Sequence, residues 1–282
     1  MKQYCEDLAP VVHNIIISSI SQCKYPTFYK HALITQIAKI NPPKYTENDF
    51  RQISVLPQLA KVLEKIQLQL NSQDLKFKDN KHAFLCDRSV SALISTSQKW
   101  FDATDNSKLG RKGTHAIFLD FRKAFDSVDH VILLYKLASM NVTKSFWLWT
   151  QNFLSGRSQQ VKLREILSSI ASCPAGVPQG SAISPMLFNV HIDDLEDTIP
   201  NILNVSTCKY ADDCTLDQVV GIGDSSHIHE AVDAVLIWAE SNKMAINVKK
   251  TKDMWLCFTD SILEPPPIQI TIAIGDCVGL PL

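Results

Sequence analysis

The chain has 282 residues, 45% of them hydrophobic and 20% charged, enough apolar side chain to bury a core and too much for a disordered segment. Nine Gly and 13 Pro exclude a collagen-like or low-complexity chain, and 28 basic against 29 acidic residues leave no global basic excess of the kind phosphate contacts favour. Eight cysteines without a C-x-x-C read as scattered reduced thiols, hence an intracellular protein; no signal-peptide layout or membrane-spanning apolar run is visible.

In chain order, Val11, Val12, Ile15, Ile16, Ser19 and Ile20 recur at helical spacing, so residues 1–40 read as helix, broken at Asn41-Pro42-Pro43. A second helix is expected over residues 55–70, with Leu59, Val62, Leu63, Ile66 and Leu70 on its apolar stripe. A third follows over residues 89–101. The polar, turn-rich stretch 102–113 marks a lobe boundary. Residues 114–120 form a short apolar run ending in Asp120, which predicts a buried strand.

Helices are expected over 122–140 and 141–155, then a hairpin from residues 159–163 and 166–172. Gly176-Val177-Pro178-Gln179-Gly180 reads as a loop, and Ser184 before Pro185 as the cap of the next helix, with Phe188, Ile192 and Leu195 inward. Strands 205–210 and 214–220 flank Ala211-Asp212-Asp213. A helix over 226–242, with Ile228, Val232, Val235 and Ala239 inward, and a strand over 254–258 follow; His227 and His229 fall before that helix and receive no metal role. Residues 259–282, with three prolines from Pro265, read as a tail.

Successive strand side chains alternate between faces, so Asp212 and Asp213 serve one site only at a turn. With Asp120 from a neighbouring strand end, three carboxylates would suit hard divalent cations and two-metal phosphoryl transfer. Read alone, Asp-Asp is also a solvated turn, and Asp120 also a helix cap.

Four separated segments resemble the reverse transcriptases of non-LTR (LINE-like) retrotransposons. Residues 118–130 (Phe-Leu-Asp-Phe-Arg-Lys-Ala-Phe-Asp-Ser-Val-Asp-His) resemble their first catalytic motif. Ala175 to Ser181 with Ser184-Pro185 resembles the template and nucleotide motif, Tyr210-Ala211-Asp212-Asp213 the polymerase signature, and Asn247-Val248-Lys249-Lys250-Thr251 the lysine motif.

The resemblance covers roughly residues 30–258 and implies an α+β right-hand polymerase fold with fingers and palm, the palm an antiparallel sheet backed by helices. It implies fingers over 1–112 and a palm over 113–258 with a fingers insertion near 141–174. The chain stops at Leu282, so a truncated tail over 259–282 without a thumb is expected.

By similarity, Asp120, Asp212 and Asp213 are catalytic and hold two Mg2+ ions (or Mn2+), with the Phe121 carbonyl as a further ligand. Phe125 would exclude a ribose 2′-hydroxyl, though it also reads as a core residue. The backbone of Lys123 and Ala124 would meet the triphosphate and Gln179 and Gly180 the nascent base pair; Tyr210 would touch the primer end or merely pack beside the turn. Lys250 would approach the leaving pyrophosphate, or stand as a solvated lysine.

Arg51, in a segment resembling the fingers motif, would bind triphosphate, although Gln52 stands where the family has proline. His82-Ala83-Phe84 with Arg88-Ser89 matches a further fingers segment, but Cys86-Asp87 departs where glycine is common. The implied activity is RNA-directed DNA synthesis, with an RNA template, a DNA primer, dNTPs and other retroelement-encoded domains as partners. The alternative is an inactive retroelement remnant that at most binds nucleic acid or protein weakly. Phe125 disfavours an RNA-synthesising polymerase.

Overall fold

The computed structural model describes residues 5–42, 44, 49–85, 88, 91–105 and 112–270. Helix α1 spans Cys5–Ser21 and buries Ile16 and Ser19. The expected helix over 1–40 stops there: Cys23 has a positive φ of 53°, and His31–Ala38 is strand β1. β1 has one near and one remote partner in sequence. It pairs antiparallel with β2 (Phe50–Val55) and parallel with β4 (Ser158–Leu163), so local periodicity could not reveal it. β5 (Ile166–Leu167) and β6 (Ala171–Ser172) complete this first sheet, in the order β2-β1-β4-β5 with β6 also on β4.

Helix α2 (Gln58–Asn71) forms, but turned from its expected stripe. Of the expected stripe Leu63 is buried and Ile66 packs against the core, but Leu59, Val62 and Leu70 are exposed, while Ala60, Glu64, Gln67 and Asn71 are buried. The surroundings of that inward face offer hydroxyls and amides, which polar side chains satisfy and leucines cannot.

The second sheet is antiparallel throughout, with order β7-β8-β3-β9: β7 (Ser206–Tyr210), β8 (Asp213–Val220), β3 (Gly113–Asp120) and β9 (Lys252–Leu256). Ile117, Leu119, Cys214 and Leu216 face one way, into a core with α4 (His130–Ser139), α6 (Ser184–His191) and α7 (Ile228–Ser241). Ile228, Val232, Val235 and Ala239 are buried on α7, and Phe188, Ile192 and Leu195 near α6, as their spacing predicted. α3 (Ser91–Asp105) lies on the opposite face. Lys99 Nζ is 2.6 Å from Asp217 Oδ2, and Trp100 meets the Phe118 ring edge-on.

The helix expected over 122–140 is two pieces, a 3-10 turn at Ala124–Asp126 and α4. Asp129 caps α4, its Oδ1 accepting from the Val131 and Ile132 N–H groups at 2.9 and 3.0 Å. Helix α5 (Lys144–Leu154) follows as predicted. Ser184 is not the cap of α6. The hydroxyl of Ser181, one turn earlier, accepts from the Ile183 and Ser184 N–H groups.

The far end of α6 is held by three lysines. Lys81 donates to the Asn189 carbonyl, Lys136 to His191 at 2.7 Å, and Lys209 to Ile192 and Asp193 at 3.2 and 3.0 Å. Lysine N–H donors there satisfy the orphan carbonyls, and the charge they carry complements the negative end of the helix dipole. Segment Asn80–His82 extends the second sheet beside Lys209, which lies just before the Tyr210–Asp213 turn. The Cys86-Asp87 departure, Ser89, and residues 271–282 of the expected tail lie outside the described residues.

Candidate active site

Tyr210 pairs with Asp213 across a two-residue turn, in which Ala211 takes a positive φ of 56°. A side chain no larger than methyl limits the cost of that conformation. Asp213 is also in register with Asp120 on β3. The sheet therefore sets Asp120 and Asp213 side by side, with Asp212 at the turn. Partial desolvation, then the Asp212 and Asp120 carboxylates, push the Asp213 carboxyl above its usual range, while Lys250 opposes this.

Asp120 is held from its other side. Asn247 Nδ2 donates to Asp120 Oδ2 at 3.0 Å, and Lys250 Nζ stands 3.4 Å from the same oxygen. Phe121 is buried, and its strand continues through an isolated bridge to Ile246. The hydrogen bonds of that bridge run from Arg122 N–H to Ala245 and from Asn247 N–H to Asp120, so the Phe121 carbonyl stands outside that pair. Among the described residues, no three His, Cys, Asp or Glu side chains are gathered into a ready-made metal cage. The donor set of carboxylate and carbonyl oxygens nevertheless suits a hard divalent cation.

Lys123 has a positive φ of 45° and opens the 3-10 turn; Ala124 is buried behind it. Phe125 is half-buried and stacks on buried Phe188 of α6, with centroids 4.6 Å apart and an interplanar angle of 14°. Loop 176–177 is strapped to this turn: Gly176 N–H donates to Val128 and Val177 N–H to Phe125, both at 2.8 Å. Gly176, at φ +83°, has no room for a side chain, since a Cβ would lie 2.7 Å from the Asp126 carbonyl oxygen.

Gln179 and Gly180 hang from the first sheet. Ser54 N–H of β2 donates to the Gln179 carbonyl at 2.7 Å, and a Cβ on Gly180 would lie 2.4 Å from the Ser54 carbonyl oxygen. Arg51 stands exposed on the same strand, three residues before Ser54. Asn247 and Glu64 escaped assignment from the sequence. The first stands in a lysine-rich segment and the second within an ordinary helical pattern. The structure carries Asn247 to Asp120 and Glu64 to Ser181.

The family model described as "Reverse transcriptase (RNA-dependent DNA polymerase)" matches residues 40–268. The chain belongs to the reverse transcriptase family. This reverse transcriptase chain is 30% identical, over 248 residues, to the RNA-directed DNA polymerase from mobile element jockey of Drosophila melanogaster. That match covers 84% of this chain and 26% of the relative. It is 26% identical over 272 residues to the probable RNA-directed DNA polymerase from transposon X-element of the same species, covering 91% of this chain and 28% of that protein. The chain thus spans little more than a quarter of either relative.

The expected resemblance to retrotransposon reverse transcriptases holds. A solved telomerase from Candida tropicalis, in complex with a TWJ fragment of telomeric RNA, superposes with a TM-score of 0.58 at 12% identity. It covers 80% of this chain and 41% of that one. This reverse transcriptase therefore has the α+β polymerase fold, and its family works with divalent metal ions.

Proposed function

We propose that this chain is the RNA-directed DNA polymerase core of a non-LTR retrotransposon, adding dNTPs to the 3′-hydroxyl of a DNA primer on an RNA template. The register of Asp120 with Asp213 beside the Tyr210–Asp213 turn carries this reading. Asp120, Asp212, Asp213 and the Phe121 carbonyl would hold two Mg2+ ions, with Mn2+ as a substitute. Bound there, such ions supply activation of the 3′-hydroxyl and neutralisation of the triphosphate.

The chain's own residues do the rest. Asn247 orients Asp120. The N–H groups of Lys123 and Ala124, at the start of a helical turn, suit a triphosphate. Phe125, backed by Phe188, would refuse a 2′-hydroxyl, and Gln179 with Gly180 would bed the nascent base pair. Arg51 and Lys250 would meet the triphosphate and the leaving pyrophosphate. A fingers region over 1–112, a palm over 113–258 with the insertion near 141–174, and an intracellular setting complete the proposal. Among the described residues no helix is long and apolar enough to cross a membrane.

The test is primer extension on an RNA template with Mg2+ and dNTPs, comparing the chain with Asp212→Asn. Extension by the unaltered chain and none by the variant is expected. Equal extension by both would overturn the assignment.

A further inference from the structure

Glu64 is fully buried on α2, outside the hairpin and the turns around it. Its Oε2 accepts from the Ser181 hydroxyl at 2.7 Å and from the Ala182 N–H at 2.6 Å. Its Oε1 accepts from the Tyr25 hydroxyl at 2.7 Å. Tyr25 is itself wedged edge-on against Trp149 and Phe153, and the Arg157 guanidinium lies over the Tyr25 and Phe153 rings at 5.8 and 4.8 Å. A buried carboxylate is costly unless every lone pair is used, and an apolar residue of similar volume often serves bare stability as well. Three short hydrogen bonds from two distant segments are therefore an expensive arrangement for a helix that only needs to pack.

The arrangement gives the loop no slack. On one side Ser54 grips Gln179 and abuts Gly180; on the other, Glu64 grips Ser181 and Ala182. The Ser181 hydroxyl gives its proton to Glu64 and accepts from Ile183 and Ser184, so the loop and the first turn of α6 share one anchor. We infer that Glu64 is a positioning residue that holds Gln179 and Gly180 at the height the incoming nucleotide requires, and so governs dNTP affinity rather than the chemical step. This rests on the polymerase reading above.

Glu64→Gln keeps the shape but removes the charge: the amide oxygen can stay on Ser181 and Ala182 with its NH2 turned to the Tyr25 hydroxyl, so both loop bonds persist only as weaker neutral ones. In steady-state extension, KM for dNTP should rise about ten-fold, the scale of two charge-assisted hydrogen bonds weakened together, with kcat changed less than about three-fold. Amide hydrogen exchange at residues 177–184 should quicken in the same variant. Tyr25→Phe, which leaves both loop bonds in place, should move KM far less. Ser181→Ala combined with Glu64→Gln should cost no more than the worse single variant.

A folded Glu64→Gln protein with unchanged KM and unchanged loop exchange overturns the inference, as does a loss confined to kcat. Should Glu64→Gln fail to fold, Ser181→Ala alone must raise KM. If the unaltered chain extends no primer, the polymerase reading falls and loop exchange alone decides the role of Glu64. Asp212→Asn should abolish extension and leave that exchange unmoved.

Discussion

Asp120 would be one of three like charges around an open turn, and single side chains decide how it sits. Asn247 donates to its carboxylate and Lys250 balances it. Phe125 depends in the same way on Phe188, whose ring lies flat beneath it. Phe188→Leu should free Phe125 to swing, raising ribonucleotide over deoxyribonucleotide incorporation about ten-fold in kcat/KM. Its expected stability cost is about 1–3 kcal/mol, read from a urea melt. An unchanged nucleotide preference would mean that Phe125 needs no such backing. Asp120, Asp212, Asp213 and Phe125 are legible because they stand in motifs of fixed spacing. Phe188 read only as one more apolar residue on a helix, and Asn247 as part of a lysine run, since the contacts that give them roles cross 63 and 127 residues of chain.

Helices with a clean apolar stripe, such as α7, could be read at the level of the element, because one face meets a uniformly apolar core. α2 could be read only in part, at Leu63 and Ile66, because its inward face also meets hydroxyls and amides; β1 could not, because one of its partners, β4, is remote. The break between the turn at Ala124 and α4 depends on Asp129. That side chain caps two N–H groups and pairs with Lys243 at 2.7 Å. Asp129→Ala should lower unfolding stability by about 1–2 kcal/mol, and Asp129→Asn, which can still cap, by less. Burial alone would raise the Asp129 carboxyl. The Lys243 hydrogen bond and the capped amides outweigh it and hold the group below its usual range. Its folded value lies below its unfolded one, so this contribution is present above the ordinary carboxylate range and fades as pH falls through it. The difference between wild type and Asp129→Asn should therefore close on acidification, measured by denaturant unfolding at stepped pH.

Across the whole molecule, the unexpected feature is the group of lysines buried behind the second sheet. Burial, then the nearby Lys209, bring the Lys81 ammonium down to about 7, against the pull of Asp193 and Glu196. Unfolded, the amine keeps its proton up to about 10.5. Between these values only the unfolded chain holds that proton, so raising pH favours the folded state, by at most about 1.4 kcal/mol per pH unit. Denaturant midpoints followed upward from about pH 7 should show this rise, and Lys81→Met should flatten it. A slope that persists in the variant would locate the effect in another group. Composition could not show this, because near-neutral charge says nothing about which lysines are inside. The placement of these lysines also has a metrical consequence. The Ser181 end of α6 carries the loop of Gln179 and Gly180, and its Lys209 end carries the strand that enters the aspartate turn. Eight residues of helix separate the two ends, about 12 Å of rise. The helix is thus a ruler between the proposed nucleotide bed and the proposed metal ligands. One inserted residue would turn its two ends about 100° out of phase, an error no side-chain change nearby could correct.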